Sequence, residues 1–351
     1  MATVIRQAPK PAERARQAFG GNAARSWRSL RRTFQFCFLL LNLWIGAEFY
    51  LFVRYWETGG QTPFAARPAG VEGWLPIAGL MNLRAWIETG RAPQIHPAAA
   101  VLLATFLLVA WLLRKSFCSW LCPIGTLSEF LWRAGRRFVG RNLRLPRWAD
   151  VPLRSLKYLL LGFFVWAIGG MSAAAIEAFM RSPYGLIADV KMLNFFRHLS
   201  VRAAIVLAAL VLLGLLVQNF WCRYLCPYGA LLGLASLFSP LRIRRDPARC
   251  TDCARCARAC PAWLPVDKLR AVRSVECTGC LECLAACPAS GALELGVPGG
   301  WRMPGWVMAV GIGLLFLAAV IWAKFSGHWE TQLPDQVYRV LVPRAQEFTH
   351  P

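Results

Sequence analysis

The sequence predicts an α-helical integral membrane protein with a small polar domain inserted before its last helix. Three observations carry that prediction. Hydrophobic residues make up 57% of the 351 residues and charged ones 17%, at a mean hydropathy of +0.42, which argues against a disordered chain or an ordinary soluble domain. Five apolar segments of 17 to 20 residues recur along the chain. Finally, 40 Lys+Arg stand against 18 Asp+Glu, a net charge of +22, and the basic residues gather in alternate loops.

A bilayer-spanning helix takes about 20 largely apolar residues. Segments 34–53, 97–113, 156–175, 201–217 and 304–323 reach or approach that length. Any one alone reads equally as a buried core helix, but five are too many for a soluble core in this chain. The loops orient them. Segments 1–32, 114–157 and 219–303 carry 29 of the 40 Lys+Arg against nine acids. Positive charge collects on the cytoplasmic side, so the N-terminus is expected inside and the 324–351 tail outside. The surplus is then a topology signal, and nucleic acid drops out as its explanation. Arg31-Arg32-Thr33-Phe34 faintly resembles a twin-arginine export signal. The long basic stretch and the spanning run after it read instead as the cytoplasmic flank of the first helix.

Between the fourth and fifth apolar segments, 242–298 turns polar and cysteine-rich. It contains Cys250-x2-Cys253-x2-Cys256-x3-Cys260-Pro261 and then Cys277-x2-Cys280-x2-Cys283-x3-Cys287-Pro288. This is the bacterial two-cluster ferredoxin pattern, an α+β fold in which the fourth cysteine of each run ligates the other cluster. Cys250, Cys253, Cys256 and Cys287 are expected to hold one [4Fe–4S] cluster, and Cys277, Cys280, Cys283 and Cys260 the second. Zinc would use two C-x-x-C pairs, not doubled runs ending in proline. Disulfides need an oxidising compartment, whereas the charge rule puts this segment in the cytoplasm.

A second motif recurs where the second and fourth apolar segments end: Phe117-Cys118-Ser119-Trp120-Leu121-Cys122-Pro123-Ile124-Gly125 and Trp221-Cys222-Arg223-Tyr224-Leu225-Cys226-Pro227-Tyr228-Gly229. Both cysteines are offset by 104 residues, so helices 1–2 and 3–4 read as two copies of one hairpin, with both motifs on the same face. Cysteines at i and i+4 share one side of a helix. Cys118, Cys122, Cys222 and Cys226 are thus expected to meet at the membrane surface, as a third iron–sulfur site, a redox-active thiol set or a packing motif. Cys37, alone in the first apolar segment, reads as packing.

Two C-x-x-x-C-P motifs followed by a two-cluster ferredoxin resemble the membrane polyferredoxins of the NapH, NosR and CcoG type, over about residues 30–325. The resemblance implies a multi-pass protein of the bacterial inner membrane that transfers electrons through cytoplasmic clusters, with a periplasmic tail. NapH-type members are linked to quinol oxidation for periplasmic nitrate reductase. NosR-type members support nitrous oxide reductase and carry a periplasmic flavin-binding domain, for which the 54–96 loop here is too short. CcoG-type members handle copper for oxidase assembly and carry a further globular domain. The layout is closest to NapH.

The outer face supplies the remaining candidates. Arg67, Glu72 and Trp74 lie among Gly and Pro in the 54–96 loop, suited to a quinone headgroup or to a structured turn with a Trp anchor. His96 and His198 precede the second and fourth apolar segments as repeat equivalents, open to quinol, haem or a plain interfacial role. Glu48 is an acid within the first span, a proton or quinol candidate by default. No C-x-x-C-H indicates attached haem, and no hydrolytic motif competes. The leading expectation is electron transfer between the quinone pool or cytoplasmic donors and redox proteins of the membrane or periplasm, as a component of a quinol dehydrogenase. A metal-reducing maturation factor and a redox sensor are the alternatives.

Overall fold

The structure, a computed structural model, describes residues 11–299 and 301–350, with side chains from residue 27 onward. Residues 1–10 of the expected basic segment lie outside that range. The chain opens on one long helix, α1 (Pro11–Glu57), whose Trp27–Glu57 part is apolar and largely turned outward. A loop with one 3-10 turn at Ala69–Trp74 leads to α2 (Pro76–Thr89) and α3 (Pro97–Leu113). The second span ends where expected, at Leu113. At 17 residues it is about 26 Å long. It runs through the interior: Ala98, Ala100, Val109 and Ala110 are fully buried, with α2 and, later in the chain, two further helices packed on it. The α2–α3 approach is close because Gly79 lacks a Cβ, which would lie 2.7 Å from the Ala99 carbonyl.

The short α4 (Phe117–Trp120) and the amphipathic α5 (Pro123–Val139) follow, then α6 (Arg147–Gly169). The third span was expected at 156–175. The helix begins earlier and stops at Gly169, because Ser172 caps a new one by accepting from the Ala175 amide at 3.2 Å. That helix is α7 (Ala173–Arg181), followed by α8 (Pro183–Leu186), α9 (Ala188–Arg197) and α10 (Val201–Leu216). α9 and α10 meet at 82°. Among the described residues three helices are long and apolar enough to cross a membrane: the Trp27–Glu57 part of α1, α6, and α14 (Trp306–Phe325) near the end of the chain; the bent α9–α10 pair makes up to four. The expected set of five thus resolves into these, plus the interior α3.

After α11 (Pro227–Ala235) the polar domain begins. Its sheet is antiparallel, in the order β1 (Arg242–Arg245), β2 (Leu293–Gly296), β3 (Arg302–Met303), with buried Ile243 opposite buried Leu295. The third strand carries the domain past residue 298, where the sequence placed its end. Two one-turn helices, α12 (Arg255–Ala259) and α13 (Glu282–Ala286), lie between β1 and β2. The domain is docked, not tethered. One continuous apolar core joins Phe106, Met308 and Ile312 of the helical part to Cys256, Cys277, Leu281 and Leu295 of the polar domain.

The tail is also tied down. Its helix α15 (Asp335–Leu341) buries Tyr338 edge-on against Phe52 at 5.2 Å, and Gln332 donates its amide to the Gln94 carbonyl at 3.0 Å. The tail, expected only as an outside segment, caps the end of α1. Cys37, expected as packing, lies on the exposed face of α1.

Candidate functional site

The two cysteine runs of the polar domain fold alike. In each, the second cysteine is flanked by left-handed residues: Asp252 (φ 50°) and Ala254 (φ 52°) around Cys253, Gly279 (φ 61°) and Leu281 (φ 59°) around Cys280. That conformation turns successive amides toward one side. The Arg255 and Glu282 amides lie close enough to Cys253 and Cys280 to favour their thiolates, and Ala257 and Leu284 do the same for Cys256 and Cys283. Two small cavities result. Cys250, Cys253, Cys256 and Cys287 line one, and Cys260, Cys277, Cys280 and Cys283 line the other. Each therefore takes three thiols from one run and the fourth from the other. Amide donors aimed at sulfur suit thiolate-ligated clusters, whose potential they tune. Among the described residues no three His, Cys, Asp or Glu side chains close tightly enough on one metal ion.

The C-x-x-x-C-P motifs are not helix ends with both cysteines on one face. α3 stops at Leu113, and Arg114 (φ 63°) turns the chain out of the helix. Cys118 lies in α4; Cys122 caps α5, with Pro123 in its first turn and the thiol accepting from the Gly125 amide at 3.4 Å. The second copy repeats this. Cys222 lies in a π-helical turn, Trp221–Leu225, and Cys226 caps α11 with its thiol accepting from Gly229 at 3.2 Å. In both copies the second cysteine donates its amide five residues back, to Phe117 and to Trp221. The proline explains the break: it restarts a helix at the cysteine and cannot continue one through it. Gly125 is required by contact, since a Cβ there would fall 2.1 Å from the Cys118 carbonyl.

All four of these thiols line a single cavity of about 1160 Å³. It extends between Leu41, Ile45, Leu102 and Phe316 toward Arg67 and Trp74 at one end, and toward Arg133 and Arg258 at the other. Burial pushes the Cys118 thiol up to about 11 and Cys122 to about 12, so any metal loading there displaces protons. Lys115 also lines this cavity. It is 4% exposed, and among the described residues no hydrogen bond or ion pair engages its ammonium. The sequence reading missed it. The only signal was a break in the repeat, since 104 residues later the chain has Asn219.

The ferredoxin-like domain sits directly on the first motif. Ser119 Oγ donates to the Thr278 carbonyl at 2.7 Å, and the Trp120 indole donates to Gly279 at 3.2 Å. Arg31 on α1 bridges Glu129 of α5 (2.8 Å) and Glu282 of α13 (2.7 Å). Lys157 on α6 donates to both oxygens of Glu276 at 2.6 and 2.8 Å, beside Cys277. Arg223, inside the second motif, donates to the Ala262 carbonyl and lies 4.1 Å from the Trp263 ring centre. The face of the polar domain held this way carries Cys277 and Cys280. Cys253, in the other cavity, is exposed.

At the other end, Glu72 and His96 come together as the core of a buried ionic cluster. Arg67 Nη1 donates to Glu72 at 2.9 Å, and Arg67 Nη2 donates to Asp189 at 2.6 Å. His96 Nε2 donates to the Gly185 carbonyl at 2.9 Å, with Nδ1 3.5 Å from Glu72. Thr331 of the tail donates to Glu72 and accepts from the His96 amide. Burial opposes charge on Glu72, but Arg67 and His96 outweigh it and hold the carboxyl at about 2. Burial also opposes charge on His96, yet Glu72 outweighs it and holds the imidazole above its ordinary 6.5. The signs follow by linkage. The His96 contribution is complete below pH 6.5 and is lost as pH rises through the raised folded value. The Glu72 contribution is complete above 4.5 and is lost as pH falls toward 2. Thermal unfolding in detergent should therefore lose stability on the alkaline side, and His96→Gln should remove that limb. An identical alkaline limb in the variant would refute the assignment.

The other two outer candidates do not join. Glu48 is half-buried on α1, and His198 is exposed after α9, in a setting unlike buried His96. Glu48, Glu72, His96 and His198 are all absent from the cavity lining, which includes Arg67, Trp74 and Asn42. Asp189 and Thr331 were not singled out in the sequence, because their partners lie more than 100 residues away.

Two family profiles match the chain. One, described as a 4Fe-4S binding domain, covers residues 95–146 and 199–245; the other, a 4Fe-4S dicluster domain, covers 242–294. YccM of Escherichia coli (strain K12), whose name assigns it provisionally to electron transport, is 45% identical over 92% of this chain and 93% of its own length. The ferredoxin-type protein NapH of the same strain is 26% identical over 67% of this chain and 75% of its own. The regulatory protein NosR of Pseudomonas aeruginosa is 33% identical over 42% of this chain and 20% of its own. No solved structure matches.

Proposed function

Because this chain belongs to the membrane polyferredoxin family that includes YccM, NapH and NosR, we propose that it carries electrons between a membrane-soluble quinol and a cytoplasmic redox partner through three cysteine sites in series. It is an iron–sulfur electron-transport protein with membrane helices. Cys250, Cys253, Cys256 and Cys287 hold one [4Fe–4S] cluster, and Cys260, Cys277, Cys280 and Cys283 the second. The amide donors in both loops and the two four-thiol cavities support this. Cys118, Cys122, Cys222 and Cys226 hold a third iron–sulfur centre. Their common cavity, Lys115 in its wall and the family profile over both motif segments support that reading. Bound clusters would supply one-electron redox chemistry.

The chain's own work is positioning. The docking of Thr278 and Gly279 on the first motif carries the proposal, because it puts the Cys277–Cys283 loop against the four-cysteine cavity and leaves the exposed Cys253 at the far side. The apolar walls of the cavity give a quinol ring a path toward the four cysteines, which moves the expected quinol site from Glu72 and His96 inward. The surplus of Lys+Arg in 1–32, 114–157 and 219–303 supports a cytoplasmic polar domain and a periplasmic cluster around Arg67. A short-chain quinol analogue added to the purified, cluster-loaded protein should bleach the cluster absorbance within seconds. Leu102→Trp, which fills the cavity wall, should slow that bleaching while leaving reduction by dithionite unchanged. Reduction by dithionite but none by quinol would overturn the quinol assignment.

A further inference from the structure

We propose that Lys115 is the charge-compensating residue of the four-cysteine centre, and that its ammonium raises the reduction potential of that centre. The inference rests on the reading of Cys118, Cys122, Cys222 and Cys226 as ligands of a third iron–sulfur group. It starts from an imbalance. Burying a charge costs several kcal/mol unless it is paired. The other deeply buried cations meet that cost with their own carboxylates: Arg31 with Glu129 and Glu282, Arg67 with Glu72 and Asp189, Lys157 with Glu276, and Arg223 with Asp150. Arg114 has the Ser236 and Ser274 carbonyls. Lys115 has no such partner among the described residues. Glu276 is within electrostatic range, but both its oxygens are taken by Lys157.

The geometry says where the missing negative charge belongs. A Cβ built on Gly229 would lie 3.6 Å from the Lys115 ammonium and 3.5 Å from Cys226 Sγ, so both atoms border the space that Gly229 leaves open. Lys115 also interacts with Cys118 and Cys222. Four neutral thiols leave the ammonium in the cavity wall without a counter-charge. Four thiolates around an iron–sulfur group supply one, since that assembly is anionic in every accessible state. Reduction adds one electron and one more negative charge. A fixed cation at the ligands favours the reduced state more than the oxidised one, and so moves the potential upward. The second repeat has Asn219 at the corresponding position, so the repeat supplies this lysine only once.

The test is a redox titration monitored by electron paramagnetic resonance, with iron counted on the same samples. The signal of the third centre is identified as the one missing in Cys222→Ser. Lys115→Met should shift its midpoint to more negative potential, Lys115→Arg should leave it near the wild-type value, and iron should stay at about twelve per chain. Loss of the third centre in Lys115→Met with retention in Lys115→Arg supports the same role, as a requirement for charge during loading. An unmoved midpoint in Lys115→Met with full iron overturns the proposal, and so does loss of the centre in both variants. A wild-type protein with about eight irons, unchanged in Cys222→Ser, instead overturns the third-centre reading on which the proposal stands.

Discussion

Cys222→Ser should lower the iron content of the purified protein from about twelve to about eight per chain, with a matching loss of acid-labile sulfide. Cys118→Ser and Cys226→Ser should do the same. The effect is large because a four-iron group with one thiolate missing, at a site opening onto a cavity of about 1160 Å³, is exposed to solvent and oxidants. The two ferredoxin clusters should survive, because none of their eight cysteines comes from the motif segments. Their spectra in the variant supply the control for folding. If the four cysteines are instead a redox-active thiol set, iron stays at about eight in the wild type and in the variant alike. Thiol titration under reducing and oxidising conditions then shows the difference directly. Mutating Cys37, exposed on α1 and far from these elements in the chain, should leave both counts unchanged.

Much of this site is legible in the sequence because its chemistry is local. Each ferredoxin run spans only 11 residues, and its spacing alone specifies the crossed arrangement found around the two cavities. The repeat at an offset of 104 is just as local, and it brings Cys118, Cys122, Cys222 and Cys226 to one cavity as the motif suggests. The path by which it does so was misread. Periodicity put each cysteine pair on one helix, whereas Pro123 and Pro227 each restart a helix at the second cysteine and make it a cap. The C-P dipeptide held that information as a helix-start signal.

What the sequence concealed is long-range. Lys115 was counted among the basic residues of an inside loop, and nothing in its neighbours distinguishes a buried ammonium from a surface one. Arg67, Glu72 and His96 were each visible as candidates. Their meeting depends on Asp189 and Thr331, 122 and 259 residues from their partners. The same holds for the tail. Its composition resembles a surface segment, yet Tyr338 and Thr331 anchor it to α1 and to the ionic cluster. The exposure of each apolar segment is hidden for a third reason. Hydropathy reports apolar content but not exposure, so the interior α3 and the outward α10 look alike in sequence although only the first is enclosed by protein.

Arg67→Met should destabilise the ionic cluster by about 3–5 kcal/mol, the cost of breaking a buried ion pair by removing one partner. The magnitude is high because Arg67 serves two carboxylates, Glu72 and Asp189, that are 0% and 1% exposed. Without the guanidinium both remain buried, with His96 the one cation left beside them among the described residues. Since Thr331 donates to Glu72, the tail should loosen in the same step, and limited proteolysis should cut within 326–335 faster than in the wild type. Arg67→Lys keeps the charge but loses the planar fork that reaches both acids, and should fall between. Asp189→Asn in the Arg67→Met background removes one of the stranded charges and should recover part of the loss, a non-additivity that a structural defect elsewhere would not produce. Unfolding in detergent is best followed as a rate, given the several elements that meet at this cluster. A tail as resistant in Arg67→Met as in the wild type would show that the ionic cluster does not hold it.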